Sequence, residues 1–386
     1  MDYKYYMNNK RLVSLDILRI ISMCMIITLH YISYSNINEG VIPISKVGIV
    51  NTVLRSICNV AVNCYVLISG YFCIHSKFKL SKVFKLVVEV FVYSFSIYII
   101  MLLTNQLKFD VKTAIMNFFP TLTRQYWFVT TYIGVYIISP LLKIITDRIS
   151  QIEHYTTIFI GFFMLVVYYN FFFFCDNLNF GGATGIVWFI YLYLCAIYIK
   201  KYYKAIGLKK ELKKYFILVL LSLCSRIPFY IMYYLTKKPI FIEGSSIFDS
   251  VYNSIFTFLT SISIFKVFLN INCKLKESKI LNTLAISSWY VYILHENKNI
   301  RNIIWKTINY KEIVSGSIIK YFICWLAVVL VIYVAGTIIS NIVNKILKTI
   351  FFNEKVLKKI NYIQEKIYTR YKLFFERREK IEVKDK

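Results

Sequence analysis

A chain that repeats an apolar run of about twenty residues from end to end has few folds open to it. As a helix, such a run matches a hydrocarbon layer of roughly 30 Å. In lipid, only helices and closed barrels satisfy every backbone N–H and C=O. Ten such runs lie near 12–35, 46–74, 82–104, 126–146, 156–175, 185–200, 215–236, 247–269, 281–297 and 318–346. With 58% hydrophobic residues in 386, a soluble globule is excluded. The expected fold is all-α, a polytopic membrane protein of about ten transmembrane helices in the plasma membrane. Residues 1–350 form the integral-membrane domain, and 351–386 a basic amphipathic cytoplasmic tail with Ile360, Ile363, Ile367, Tyr371 and Phe374 at helical spacing. The first run shows no small-residue cleavage site and is read as a retained helix.

Charge gives the orientation. The net charge of +27, from 47 Lys+Arg against 20 Asp+Glu, sits largely in short loops. Nucleic-acid binding would need it gathered on a soluble face with stacking aromatics, and is excluded. Lys77, Lys79, Lys82 and Lys85 mark the second loop, 200–214 the sixth with seven lysines, and Lys274, Lys276 and Lys279 the eighth. The loops at 36–45 and 170–184 carry no Lys or Arg. By the positive-inside rule both termini are cytoplasmic. The ninth loop, with Lys298, Arg301, Lys306 and Lys311, runs against the rule. With 12 Gly and 5 Pro, few helices are expected to break in mid-membrane. The 9 Cys are scattered singly, as buried small hydrophobes, with no disulfide framework or metal site indicated.

Within the first run, "LDILRIISMCMIITLHYI" keeps Asp16, Arg19 and His30. An ionisable group at bilayer depth costs about 2.5–3.5 kcal/mol, so each needs a partner or a task. Eleven residues of helix turn through about 1100°, which returns to within roughly 20° of the start. Arg19, Met23, Ile26 and His30 therefore form one stripe, with Asp16 a turn below Arg19. Arg19 and His30 are about 16 Å apart along the axis. The bland alternative is a snorkelling Arg19 paired with Asp16, and a packing histidine.

The run from Arg11 to His30 resembles the first helix of the acyltransferase-3 family, membrane O-acyltransferases of bacterial surface glycans. That family's signature is a basic residue, ten residues, then histidine. "VLISGYF" (66–72), "YWFVTTYIGVYIISPLL" (126–142) and "ISSWYVYILHENK" (286–298) resemble further family helices, in the same order. The second of these resembles a Trp-Phe helix closing in proline. Where relatives often carry Arg-x-x-Arg after the second span, this chain has Lys82 and Lys85. Lysine keeps the charge and loses the bidentate fork. The match is to the stand-alone form, without an SGNH domain.

The resemblance implies a catalytic His30, with Arg19 and Asp16 supporting it. It implies acyl-CoA, acetyl-CoA the expected donor, held by Arg19, Lys82 and Lys85 on the cytoplasmic side, and no metal. Trp127 and His295 are expected on the acceptor side. A neutral imidazole can take the proton of an attacking hydroxyl. The implied reaction moves an acyl group, acetyl expected, to a hydroxyl of a cell-envelope or capsular polysaccharide or its lipid-linked precursor. The partners are then acyl-CoA, glycan and bilayer. The rival class is a polysaccharide or lipid transporter or flippase, against which stand the missing repeats and the few Gly and Pro. Glu296 is expected to point away from its neighbour His295. Glu89 has no assigned role, and His75 and His154 are expected to be bystanders.

Overall fold

A computed structural model describes residues 12–34, 45–74, 77–172, 182–271, 278–308, 313 and 317–382, with side chains to 370. His75, Lys274, Lys276, Lys311 and the loops at 36–44 and 173–181 lie outside the described residues. All regular structure among the described residues is helical. The main helices are α1 (Val13–Tyr34), α2 (Lys46–Cys58), α3 (Ala61–Cys73), α4 (Leu80–Leu103), α5 (Val111–Phe118), α6 (Trp127–Arg148), α7 (Gln151–Phe162), α8 (Ile186–Tyr202), α9 (Leu208–Cys224), α10 (Ile227–Thr236), α11 (Ile255–Leu269), α12 (Lys279–His295), α13 (Lys298–Thr307), α14 (Ile318–Ile350) and α15 (Glu354–Glu382).

Each of the ten expected runs holds helix among the described residues, the eighth only from Ile255 on, 247–254 being turns. Seven of the helices are long and apolar enough to cross a membrane, counting α2–α3 and α9–α10 as continuous pairs and α7 to Phe171. The other three, α8, α11 and α12, have 17, 15 and 17 residues, at or just under the shortest usual span. The protein is a polytopic, all-α membrane protein.

The chain divides into two compact units. The first comprises 1–76 and 126–340, the second 77–125 and 341–386. In the first, α3 and α12 pack on α1, α8 packs on α3 and α6, and α9 on α11. Gly70, in the Ser-Gly-Tyr stretch, sets the α3–α8 distance. A Cβ there would come within 2.9 Å of both Tyr193 Cα and Ala196 Cβ. In the second unit α4 packs on α5 and α15. Gln364 of α15 accepts from Leu80 N at 2.7 Å and donates to Phe78 O at 3.1 Å. It thereby supplies the cap that Lys79, at the N-terminus of α4, does not. Glu89 of α4 is buried, with Lys85 at 3.7 Å.

Helix ends expected on one side of the membrane meet in the first unit. Lys200, near the end of α8, lies 4.4 Å from the Tyr71 ring, near the end of α3. Lys201 pairs with Asp147, near the end of α6, at 2.8 Å. Tyr203 bonds to Glu211 of α9 and to Asn270, just past α11.

The fourth expected run, 126–146, is helical as α6, which passes through Pro140 to Arg148. The carbonyl of Tyr136, deprived of its partner by the proline, accepts instead from Ser139 Oγ at 2.7 Å. Breaks also occur despite the scarcity of Gly and Pro: at 59–60 between α2 and α3, at 225–226 between α9 and α10, and as a π-helical turn, Phe163–Val167. Pro228 opens α10 after the second break, and buried polar side chains cluster beside the first two. Arg226 forms a two-armed ion pair with Asp249, both nearly fully buried. The same carboxylate accepts from Ser56 at 2.7 Å and Ser222 at 2.9 Å, while Asn59 donates to the Asp249 carbonyl at 2.6 Å. The hub ties α2, α9 and the segment before α11 together through buried polar groups that satisfy one another.

Candidate active site

At the opposite end of the first unit, α1 and α12 bring two histidines together. His30 Nδ1 lies 3.0 Å from His295 Nε2 and 3.2 Å from Glu296 Oε2. The His295 Nδ1 lies 2.6 Å from the Val291 carbonyl, one turn back on α12. A carbonyl can only accept, so that nitrogen carries the proton and a neutral His295 presents a bare Nε2 to His30. Both neighbours of His30 Nδ1 are then acceptors, so His30 Nδ1 holds its own proton. The lone pair of a neutral His30 is left on Nε2, on the other side of the ring.

Arg301, on α13, holds this arrangement from behind. It donates to Glu296 Oε1 at 2.9 Å and lies 4.6 Å from the Tyr34 ring. Tyr34 OH in turn donates to Glu296 Oε1 at 3.4 Å. Asn297 fixes the end of α12 by donating to Tyr126 OH at 2.7 Å. The three ligand atoms of His30, His295 and Glu296 lie within 4.8 Å of one another, close enough to share a metal ion. Arg301 already neutralises the carboxylate such an ion would need.

His30 lines a cavity of about 290 Å³ with Met23 and Ile26 of the predicted stripe. Its walls are aromatic: Trp127 stacks on Tyr252 with centroids 5.7 Å apart, and Trp289, Tyr292 and Phe128 complete them. Pockets of this size, apolar with a few convergent polar groups, are where small ligands bind. Trp127 thus shares a cavity with His30, and His295 stands behind His30.

Arg19 is one residue of the stripe that does not line this cavity. It bonds to buried Asp16 at 2.6 Å, as expected, and lies 5.7 Å from the Phe72 ring. Tyr65 OH donates to the Arg19 carbonyl at 2.8 Å. Lys82 and Lys85 belong to the second unit, where Lys85 faces Glu89 and the Phe352 ring at 5.7 Å. His154 is buried, with Nε2 3.1 Å from the Leu194 carbonyl, and takes part in packing α7 on α8.

Sequence reasoning missed Glu296. Glu296, the C-cap of α12, keeps helical backbone with its N–H on the Tyr292 carbonyl, yet both it and His295 come within 3.2 Å of His30 Nδ1. The 100° between neighbours therefore does not keep the two side chains from one partner. It also missed Arg55, Arg226 and Asp249, each inside or beside an apolar run, which the cost of a buried charge would have flagged.

Residues 12–340 match a family model described as an acyltransferase domain, the acyltransferase-3 model. No curated protein and no solved structure matches the chain. The match covers every element of the first unit described above, including the helices that hold His30, Trp127 and His295, and favours acyl transfer over transport. The chain is a membrane acyltransferase and belongs to the acyltransferase-3 family.

Proposed function

We infer that the protein transfers an acyl group, acetyl above all, from cytoplasmic acyl-CoA to a hydroxyl of a cell-envelope or capsular glycan or its lipid-linked precursor. The observation that carries this reading is the contact of His30 Nδ1 with His295 and Glu296 beside an aromatic cavity, which leaves Nε2 to serve as base. The acceptor hydroxyl gives its proton to His30 Nε2 as its oxygen attacks the thioester carbonyl. The tetrahedral intermediate expels the coenzyme A thiolate, which takes that proton from the imidazolium. Glu296 and His295 keep the ring oriented, accepting at Nδ1 so that Nε2 is left to take the proton. The aromatic walls suit the apolar faces of a sugar ring.

With the amino terminus inside, Arg19 stands near the cytoplasmic face and His30 in the outer half. The thioester would reach over the roughly 16 Å between them on its extended pantetheine arm. Lys82 and Lys85 are proposed to hold donor phosphates at the inner face.

The test is transfer of labelled acetyl to isolated glycan, normalised to inserted protein. His30→Ala and His30→Gln should both lose about 10²–10⁴ in rate, because glutamine hydrogen-bonds but takes up no proton near neutral pH. Activity retained in His30→Gln would make His30 scaffold and overturn the assignment.

A further inference from the structure

Three arginines stand near the two cavities of the outer end, and two of them are matched. Arg301 pairs with Glu296 and Arg226 with Asp249. Arg55, half-buried on α2, makes no ion pair of its own among the described residues; its guanidinium reaches Ser33 Oγ at 3.5 Å, and the nearest carboxylate acting on it is Asp249, already engaged by Arg226. Ser33 lies three residues beyond His30 on α1, a rise of about 4.5 Å, so the guanidinium is held close to the base. A cation inside a membrane span whose nearest carboxylate is shared with another arginine is costly and marks a ligand path more often than a scaffold.

Arg55 lines the cavity of His30 and also a second, polar cavity of about 200 Å³ that adjoins it. Asn59 and Ser250 line both as well. The second cavity is walled by hydroxyls, those of Thr52, Tyr230, Ser245 and Ser246 among them. Asn51 supplies an independent sign of a missing ligand. It lines the same cavity, is 4% exposed, and its Nδ2 has no hydrogen-bond partner among the described residues, its Oδ1 being taken by Tyr321 OH. A buried orphan donor beside a guanidinium with no ion pair of its own calls for oxygen atoms that bear negative charge.

We propose that the second cavity is an oxyanion subsite of the acceptor: the glycan carries a carboxylate or phosphate that Arg55 and Asn51 hold while its hydroxyl faces His30. This deepens the acyltransferase reading and rests on it for the identity of the acceptor as a glycan. The anion is either the carboxylate of an acidic sugar or a phosphate of a lipid carrier or phosphodiester glycan. It fixes which hydroxyl is acylated, since the distance from anion to base is set by one turn of α1. Arg55 is a specificity residue here and takes no part in proton transfer.

The test uses full-length protein in detergent and un-acylated glycan from cells that lack the protein, in three preparations: untreated, carboxyl-reduced, and dephosphorylated with hydrofluoric acid. Binding is read from intrinsic fluorescence, since Trp127 and Trp289 line the cavity, and acetyl transfer is read separately. Charged hydrogen bonds of this class are worth roughly ten- to hundred-fold in affinity. Wild type should lose that factor with one of the two treated preparations, and which one names the anion. Arg55→Gln should bind all three equally and weakly, and Arg55→Lys should fall between. Asn51→Asp keeps the acceptor for Tyr321 OH while matching the Arg55 charge internally, so it too should abolish the preference. Equal wild-type binding to all preparations, no binding, or unaltered preference in Arg55→Gln would overturn the proposal. Arg55-dependent binding without any acetyl transfer would sink the acylation reading alone.

Discussion

Removing either member of the Arg226–Asp249 pair should damage the protein more than removing both. The pair is buried, at 7% and 2% side-chain exposure, and Asp249 also serves Ser56 and Ser222. Asp249→Leu leaves a guanidinium in the interior without a counter-charge, and Arg226→Met leaves a carboxylate held only by two hydroxyls. Breaking a buried pair from one side costs about 3–5 kcal/mol. An unfolding entropy of about 2.1 cal/mol/K per residue, over 386 residues, converts this to a fall in Tm of roughly 4–6 °C. In the double variant no charge remains, and the serine hydroxyls can turn to carbonyls of their own helices. Its cost should therefore be below that of either single variant, a coupling of at least about 3 kcal/mol. Thermal unfolding of the four proteins in one detergent, followed by tryptophan fluorescence, measures it. Additive losses would show that the two charges are held independently and that the hub does not join the two helix breaks.

Glu296→Gln removes the carboxylate beside His30 Nδ1 and should slow acetyl transfer roughly ten- to hundred-fold through misplacement of the ring, with Tm near wild type; an unchanged rate would release Glu296 from the site. Gly70→Val forces a branched side chain against Tyr193 Cα at the α3–α8 contact and should cost about 1–3 kcal/mol, seen as a lower Tm, with Gly70→Ala milder. The double variant Lys82→Ala, Lys85→Ala should raise the apparent KM for acyl-CoA with kcat nearly unchanged; an unaltered KM would return both lysines to setting orientation alone.

The fold was legible because lipid leaves so little choice. Apolar runs of span length mark helices almost regardless of their detail, and each of the ten holds helix among the described residues. What escaped was local and polar. Asn59 marks a break that no Gly or Pro announces, and Pro228, which does announce the second, gives no hint of the buried Arg226–Asp249 pair beside it, because the partners come from remote parts of the chain. His30 stood out as a histidine in an apolar run. Its anchor could not be seen, since Glu296 comes from α12, far away in the chain, and only the packing of α12 on α1 brings the two together. Arg55 was overlooked because the run around it is apolar enough to read as an ordinary span.

The tail carries a consequence for biosynthesis. Gln364 closes the first turn of α4 through bonds to residues 284 and 286 positions earlier, so α4 enters the bilayer with its leading N–H groups still waiting for their partner. The second unit is completed only when nearly the whole chain has left the ribosome. Contacts this distant in sequence form late, which makes the docking of α15 a check that synthesis has run to the end. A nascent chain stopped before residue 354 leaves the first turn of α4 without the side chain that caps it.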